Sequence, residues 1–338
     1  IMLSRGFASE ESKAAFTRAQ ALAASIDNAD ERFSTYYGLW ASHYTRGELK
    51  LARETAGSFL REAEKGGRAT ETALARRILG LSCLHQGDFA EAHANFEQAL
   101  TIHDPEHDRE ARFRFGTDTS PTAYLAHTEW QFGNLQRALE LSEEAVSRAA
   151  QSADVPTLLN TYLYRALFEI LRGNAKAAAR AAQSFAELSR DHGTAFYRVV
   201  AALSLAWARA QVGDGEVGVT ELREALAEYV GQGNKLWVPL FQGVLAELGA
   251  KTDDVGGAAT QINEALALAG ETGEHWTDAF LHRIRGEILL KRDPANTATA
   301  EEAFLTAIAV AQQQKARSFE LRAAMSMARL WRDQGRRD

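Results

Sequence analysis

The chain has 338 residues, of which 46% are hydrophobic and 25% charged, and it carries a net charge of −7. The acidic balance argues against nucleic acid as the main partner, and no run reaches the ~18 apolar residues that a membrane helix needs. One cysteine, Cys83, excludes an internal disulfide framework and fits a reducing cytosol, so a cytoplasmic location is expected.

Alanine and leucine are abundant, β-branched residues are scattered and there are only five prolines, which predicts helix almost throughout. Along the chain, turn glycines punctuate the helical pattern at "TRGEL" (Gly47), "HQGDF" (Gly87), "QFGNL" (Gly133), "LRGNA" (Gly173) and "QVGDG" (Gly213). The intervals are 40, 46, 40 and 40 residues. Weaker turns near Asp253 and Pro294 continue the series, and Gly335 closes it. Each turn lies between two apolar helical patterns. The unit is therefore a helix–turn–helix hairpin of roughly 40 residues, repeated seven times and begun an eighth.

The second helices share a signature. Ala92, Phe96 and Ala99 recur as Ala300, Phe304 and Ala307, and as Ala258, Ile262 and Ala265. Residues four and three apart share a helical face, so the alanines let two axes approach and the larger residue fills the gap between them. Gly80 and its equivalents Ala126, Ala166, Ala206, Ala246 and Gly286 do the same on the first helices. The fourth hairpin departs from the pattern, with Ala182 in the large place and Phe185 in the small one. A hairpin of this kind cannot bury its apolar face alone and stacks on its neighbours.

The Leu-Gly pair, the Gly-Asp turn and the Ala…Phe…Ala helix resemble the tetratricopeptide repeat, although 40 residues exceeds that repeat's usual ~34. The resemblance implies an all-α, right-handed superhelical solenoid of about seven hairpins enclosing a concave channel. "GLWASHYTRGELKLARETA", "ALTIHDPEHDREARFRFGTDT", "HWTDAFLHRIRGEILL" and "KARSFELRAAMSMARLWRDQGR" also resemble the C-terminal helical region of bacterial class III adenylate/guanylate cyclase proteins. In those a cyclase domain and an AAA-like ATPase module precede the repeats. The chain is thus expected to be one repeat domain, residues 1–338, cut from a longer polypeptide, with an insertion at 103–121.

No phosphate-cradling Gly-x-x-x-x-Gly-Lys loop, His-Glu-x-x-His, Cys-x-x-Cys or Gly-x-Ser-x-Gly occurs. Nothing nominates a catalytic site, a metal or a cofactor, and the fragment itself is expected not to be an enzyme. Residues 103–108 offer two histidines and three acids, but no helical spacing fixes them as ligands, so they read as a solvated capping loop. Next comes an alternation, Arg112, Phe113, Arg114 and Phe115. It plugs the groove with its phenylalanines, or it forms a basic lip for an anionic ligand or peptide terminus.

In tetratricopeptide-like hairpins the first helices line the concave face. Counting back from the turns places Tyr37, Tyr44, Arg77, His85, His127, Trp130, Trp207 and Arg283 there. Aromatics and arginine anchor partners in pockets, while aromatics at helical spacing also pack between repeats. Leu81, His127, Leu167, Trp207, Glu247 and Glu287 occupy the positions where chaperone-binding repeats carry a carboxylate clamp, so an acidic tail is not the expected partner. Glu247 and Glu287 are expected to make the C-terminal half of the groove negative. The leading reading is a non-catalytic interaction and sensing module for a protein or peptide segment, including the upstream domains of the same polypeptide. Alternatives are a MalT-like receptor with a closed aromatic-lined pocket, and an oligomerisation scaffold.

Overall fold

The structure is a computed structural model, and it describes residues 8–23, 29–102, 121–152, 154–192, 195–213, 215–251 and 254–336. Among these residues the secondary structure is sixteen α-helices and no strand. A leading helix, α1 (Glu10–Ala23), precedes seven hairpins. They are α2 (Ala29–Thr45) with α3 (Leu49–Lys65), α4 (Ala69–His85) with α5 (Phe89–Ile102), and α6 (Thr122–Gln131) with α7 (Leu135–Ser152). There follow α8 (Val155–Arg172) with α9 (Ala175–His192), and α10 (Ala195–Val212) with α11 (Gly215–Gly231). The last two are α12 (Val238–Lys251) with α13 (Val255–Thr272), and α14 (Asp278–Arg292) with α15 (Thr297–Gln313). The helix α16 (Arg317–Asp333) begins an eighth hairpin. The expected all-α repeat solenoid is the observed one.

The turns are made as the sequence dictates. At Gly87, φ is +82°, a conformation that a side chain resists, and the Asp88 amide returns to the Cys83 carbonyl at 2.9 Å. The same bond closes the turns at Gly47, Gly133 and Gly173. The close approach of axes is also explicit. Ala92, Phe96 and Ala99 are fully buried, and a Cβ placed on Gly80 would lie 2.5 Å from the Phe96 ring. Gly286 and Phe304 repeat that contact at 2.5 Å. In the fourth hairpin Ala182 and Phe185 are both fully buried, so the large residue has moved three positions along the helix and still fills the interface.

The coil does more than approach one turn: it closes on itself. The amides of Lys235 and Leu236 donate to the Thr45 carbonyl at 3.0 and 3.3 Å, and the Trp276 amide donates to the His85 carbonyl at 3.2 Å. Ser318 Oγ donates to the Trp130 carbonyl, 188 residues away in sequence. Arg322 donates to the carbonyls of Leu171 and Arg172, both at 2.7 Å. The hairpin-turn edge of the early repeats therefore rests on the junction edge of the late ones, forming a seam. Its first three contacts join residues about 190 apart, a little under five hairpins of roughly 40 residues.

Candidate functional site

The concave axis is filled rather than open. Junction residues between α11 and α12, and between α13 and α14, point tryptophans into it. Trp237 and Trp276 are fully buried there. Trp237 adopts φ +65°, which a bulky side chain rarely does, and the strain is offset by hydrogen bonds. Its backbone N–H donates to both carboxyl oxygens of Glu274, at 3.0 and 2.9 Å, and the Trp276 indole donates to the same carboxyl at 2.8 Å. Glu274 has no cation among these partners. Burial pushes its carboxyl up to about 8, with the Trp276 and Trp237 bonds opposing the shift.

Trp237 also donates its indole N–H to His85 Nε2 at 2.9 Å. That nitrogen must hold a lone pair, so the proton sits on Nδ1, which faces the Leu81 carbonyl at 3.0 Å and Tyr44 Oη at 2.9 Å. Tyr44 then bonds Tyr164 at 3.1 Å. Burial drives the His85 imidazole down to about 3. His127, one hairpin further along, donates Nε2–H to the Tyr164 carbonyl at 3.0 Å, and burial holds it down at about 4.

The expected groove residues thus occupy four places. Tyr44, His85 and His127 belong to the buried axial network, and Arg77 is buried beside Tyr124. Tyr37 is half-buried against Trp40 at 5.8 Å. Trp130 lies under the seam, edge-on to Phe319 at 5.2 Å, with the Arg322 guanidinium over its ring at 5.3 Å. Trp207 and Arg283 line a cavity. Arg112, Phe113, Arg114 and Phe115 lie outside the described residues, as do the histidines and acids of 103–108. Tyr164 on α8 and Arg322 on α16 lie on first helices but outside the set expected there, and Trp237, Glu274 and Trp276 lie outside any first helix. Those last three sit in junctions, where the paired runs Gly233–Trp237 and Gly273–Trp276 were the available signal.

The cavity measures about 200 Å³ and opens between the C-terminal ends of α8, α10 and α12, beside α14 and α16. Ile170, Leu240, Val244 and Phe280 form its apolar wall, and Trp207, Gln211, Glu247, Lys251, Arg283 and Arg322 its polar one. Arg283 bridges two acids, donating to Glu287 at 2.7 Å and to Glu247 at 3.0 Å. One guanidinium therefore spans both carboxylates of the expected negative half-groove and offsets one of the two charges. A second, wider cleft of about 570 Å³ lies between α3, α4 and α5, walled by Arg53, Arg61, Glu54 and Glu91. Its Arg53 is already held by Asp88 and Glu91.

No family model and no curated protein matches the chain. Among solved structures, the chain is similar to a Rap protein complexed with competence and sporulation factor, with a TM-score of 0.62 and 15% identity over 97% of this chain and 92% of that one. It is also similar to the Cut9–Hcn1 hetero-tetramer of the APC/C, with a TM-score of 0.57 and 17% identity over 92% of this chain and 52% of that one. A third is aspartyl phosphate phosphatase F from Bacillus subtilis, with a TM-score of 0.50 and 11% identity over 98% of this chain and 86% of that one. The fold is a tetratricopeptide-like solenoid. At these identities the likeness concerns the path of the chain. Among the described residues, no helix of this solenoid is long and apolar enough to cross a membrane.

Proposed function

We propose that this solenoid is a non-catalytic interaction and sensing module of a cytoplasmic signalling protein. It regulates ATPase and nucleotide cyclase domains attached to it, and residues 1–338 act as one repeat unit carrying an insertion at 103–121. The observation that carries this reading is the seam. Early and late turns of one coil meet through a row of hydrogen bonds at their edges and through the buried aromatic axis, and one apolar core runs through both. Closure of the coil is then the coordinate on which a bound protein or peptide segment can act, because small rotations between hairpins add along a solenoid. Two solved structures of similar fold hold partners, competence and sporulation factor in one and Hcn1 in the other. The sequence resemblance to cyclase C-terminal regions supplies the attached domains.

Amide hydrogen exchange tests this in the full polypeptide. The amides of Lys235, Leu236 and Trp276 cross the seam. Their exchange is expected to change when the ATPase module binds nucleotide, in step with cyclase turnover. Identical exchange in the two states, with turnover changing, would count against the proposal.

A second reading is favoured by a specific observation. The axis is closed, and beside it lies a partly open cavity with Trp207 and Phe280 in its wall. A small-effector receptor requires such a cavity, whereas an extended peptide lying along an open groove does not fit the closed coil.

A further inference from the structure

The cavity between α8, α10, α12, α14 and α16 has an unbalanced set of polar groups. Trp207 is 2% exposed, and among the described residues its indole N–H has no hydrogen-bond partner. The Nε–H of Arg283 is also buried without one, although both terminal nitrogens of that guanidinium are engaged. Both unmatched groups on the wall are donors. A buried donor left unsatisfied costs on the order of 1–3 kcal/mol, so a small side-chain shift that turns either N–H toward the cavity would gain from meeting an acceptor there.

Charge points the same way. Arg283 is matched by Glu247 and Glu287. Arg322 forms no ion pair among the described residues; it spends two N–H groups on the carbonyls that end α8. Those carbonyls offset about half a charge. Burial pulls the Arg322 guanidinium down to about 10. Among the described residues Lys251 donates to the neutral Gln211, at 3.2 Å. Counting Lys251, Arg283 and Arg322 against Glu247 and the Glu287 that Arg283 also holds, the side chains sum to +1.

We infer that this cavity binds a small oxyanion, a carboxylate or phosphate group on a compact molecule, through Trp207, Arg283, Lys251 and Arg322. At about 200 Å³ it is smaller than the ~300–1,000 Å³ of sites for drug-sized ligands, which limits the guest to a few heavy atoms around the anionic group. Planar guanidinium groups and an indole N–H suit oxygen acceptors rather than a halide. Because Arg322 spans the seam, the anion would tie the late turn of the coil to the early one. The inference rests on the small-effector reading and gives that effector its chemistry.

Isothermal titration of the intact chain with sodium phosphate and with sodium succinate, at fixed ionic strength balanced with chloride, tests it. Saturable one-to-one binding of either anion is expected. Phosphate alone, succinate alone or both identifies the accepted group. Trp207→Phe keeps the ring and removes the N–H, and it should weaken binding about tenfold or more. Lys251→Ala, at an exposed helix end, should weaken it several-fold with the helical circular dichroism intact. Failure of the wild-type chain to bind either anion overturns the inference. So does binding that both variants leave unchanged. The effector reading has its own test, a shift in coil dimensions with any small ligand shown to bind, so the two can fail separately.

Discussion

Trp237 and His85 lie 152 residues apart and share a 2.9 Å hydrogen bond in which the indole donates to the imidazole. The bond fixes the neutral Nδ1–H tautomer of His85 and joins a junction of the late coil to a first helix of the early one. Replacing Trp237 with Phe leaves His85 Nε2 a buried acceptor without a donor. The expected loss is about 1–3 kcal/mol for the unsatisfied group, with some packing loss added, read as a shift in urea midpoint at unchanged slope.

The buried axis also sets a pH profile. His85 and His127 resist protonation down to about 3 and about 4, whereas in an unfolded chain they titrate near 6.5. The stability tied to their neutral forms is complete above about 6.5 and is lost as pH falls toward those values. Glu274 acts in the opposite sense. It keeps its proton up to about 8 against an ordinary 4.5, so its contribution is complete below 4.5 and is lost as pH rises through 8. Two protons outweigh one below 6.5, and one acts alone above it. Thermal midpoints are therefore expected to climb to a maximum near pH 6.5 and decline toward pH 8. A plateau from pH 5 to 8 would contradict the burial of these groups.

The contact between Gly80 and Phe96 tests the origin of the repeat signature. In an isolated helix, Gly80→Ala would gain about 1 kcal/mol. Here the added methyl meets the Phe96 ring, which is fully buried and has no room to retreat. Overpacking of this sort costs about 1–3 kcal/mol, so the variant is expected to be less stable than the parent. Combining it with Phe96→Leu should relieve the clash. The double-mutant cycle should return a coupling beyond the ~0.5 kcal/mol of independent sites.

That contact also marks what could be read without coordinates. The hairpin period, the turn glycines and the nested small residues are local, and each leaves a fixed spacing in the chain. Trp207 and Arg283 fall on the concave side because a count back from a turn finds them. The filled axis and the seam leave no such trace. Their partners are about 120 to 190 residues apart and depend on the pitch of the coil, which accumulates from small rotations at every junction. Glu274 and Trp237 lie in the junctions themselves, outside any first helix, so no count along helix faces reaches them.

Arg322 should control closure of the coil. Replacing it with Ala removes the donors on Leu171 and Arg172 and the cation over Trp130. Loss of hydrogen bonds from a charged group costs about 1.5–3 kcal/mol, and most of it falls on the seam rather than on any hairpin. Small-angle scattering is expected to show a larger radius of gyration with helical content unchanged.

Cys83 supplies a direct reporter. It is fully buried, and burial pushes its thiol up to about 12, so the reactive thiolate is scarce. The native chain should resist iodoacetamide at neutral pH. Its labelling rate in rising urea should follow opening of the second hairpin. Rapid labelling of the native protein would show that α4 and α5 are less tightly packed than described.

The self-contact of the coil has a consequence for biogenesis. During synthesis, the ring faces of Tyr44 and His85 emerge long before Trp237 and Trp276 exist to cover them. The first hairpins must therefore wait, through some 190 further residues, with a greasy inner surface uncovered. A nascent chain stalled before Trp237 should attract holdase chaperones more strongly than one stalled after Arg322, although both contain the same early repeats.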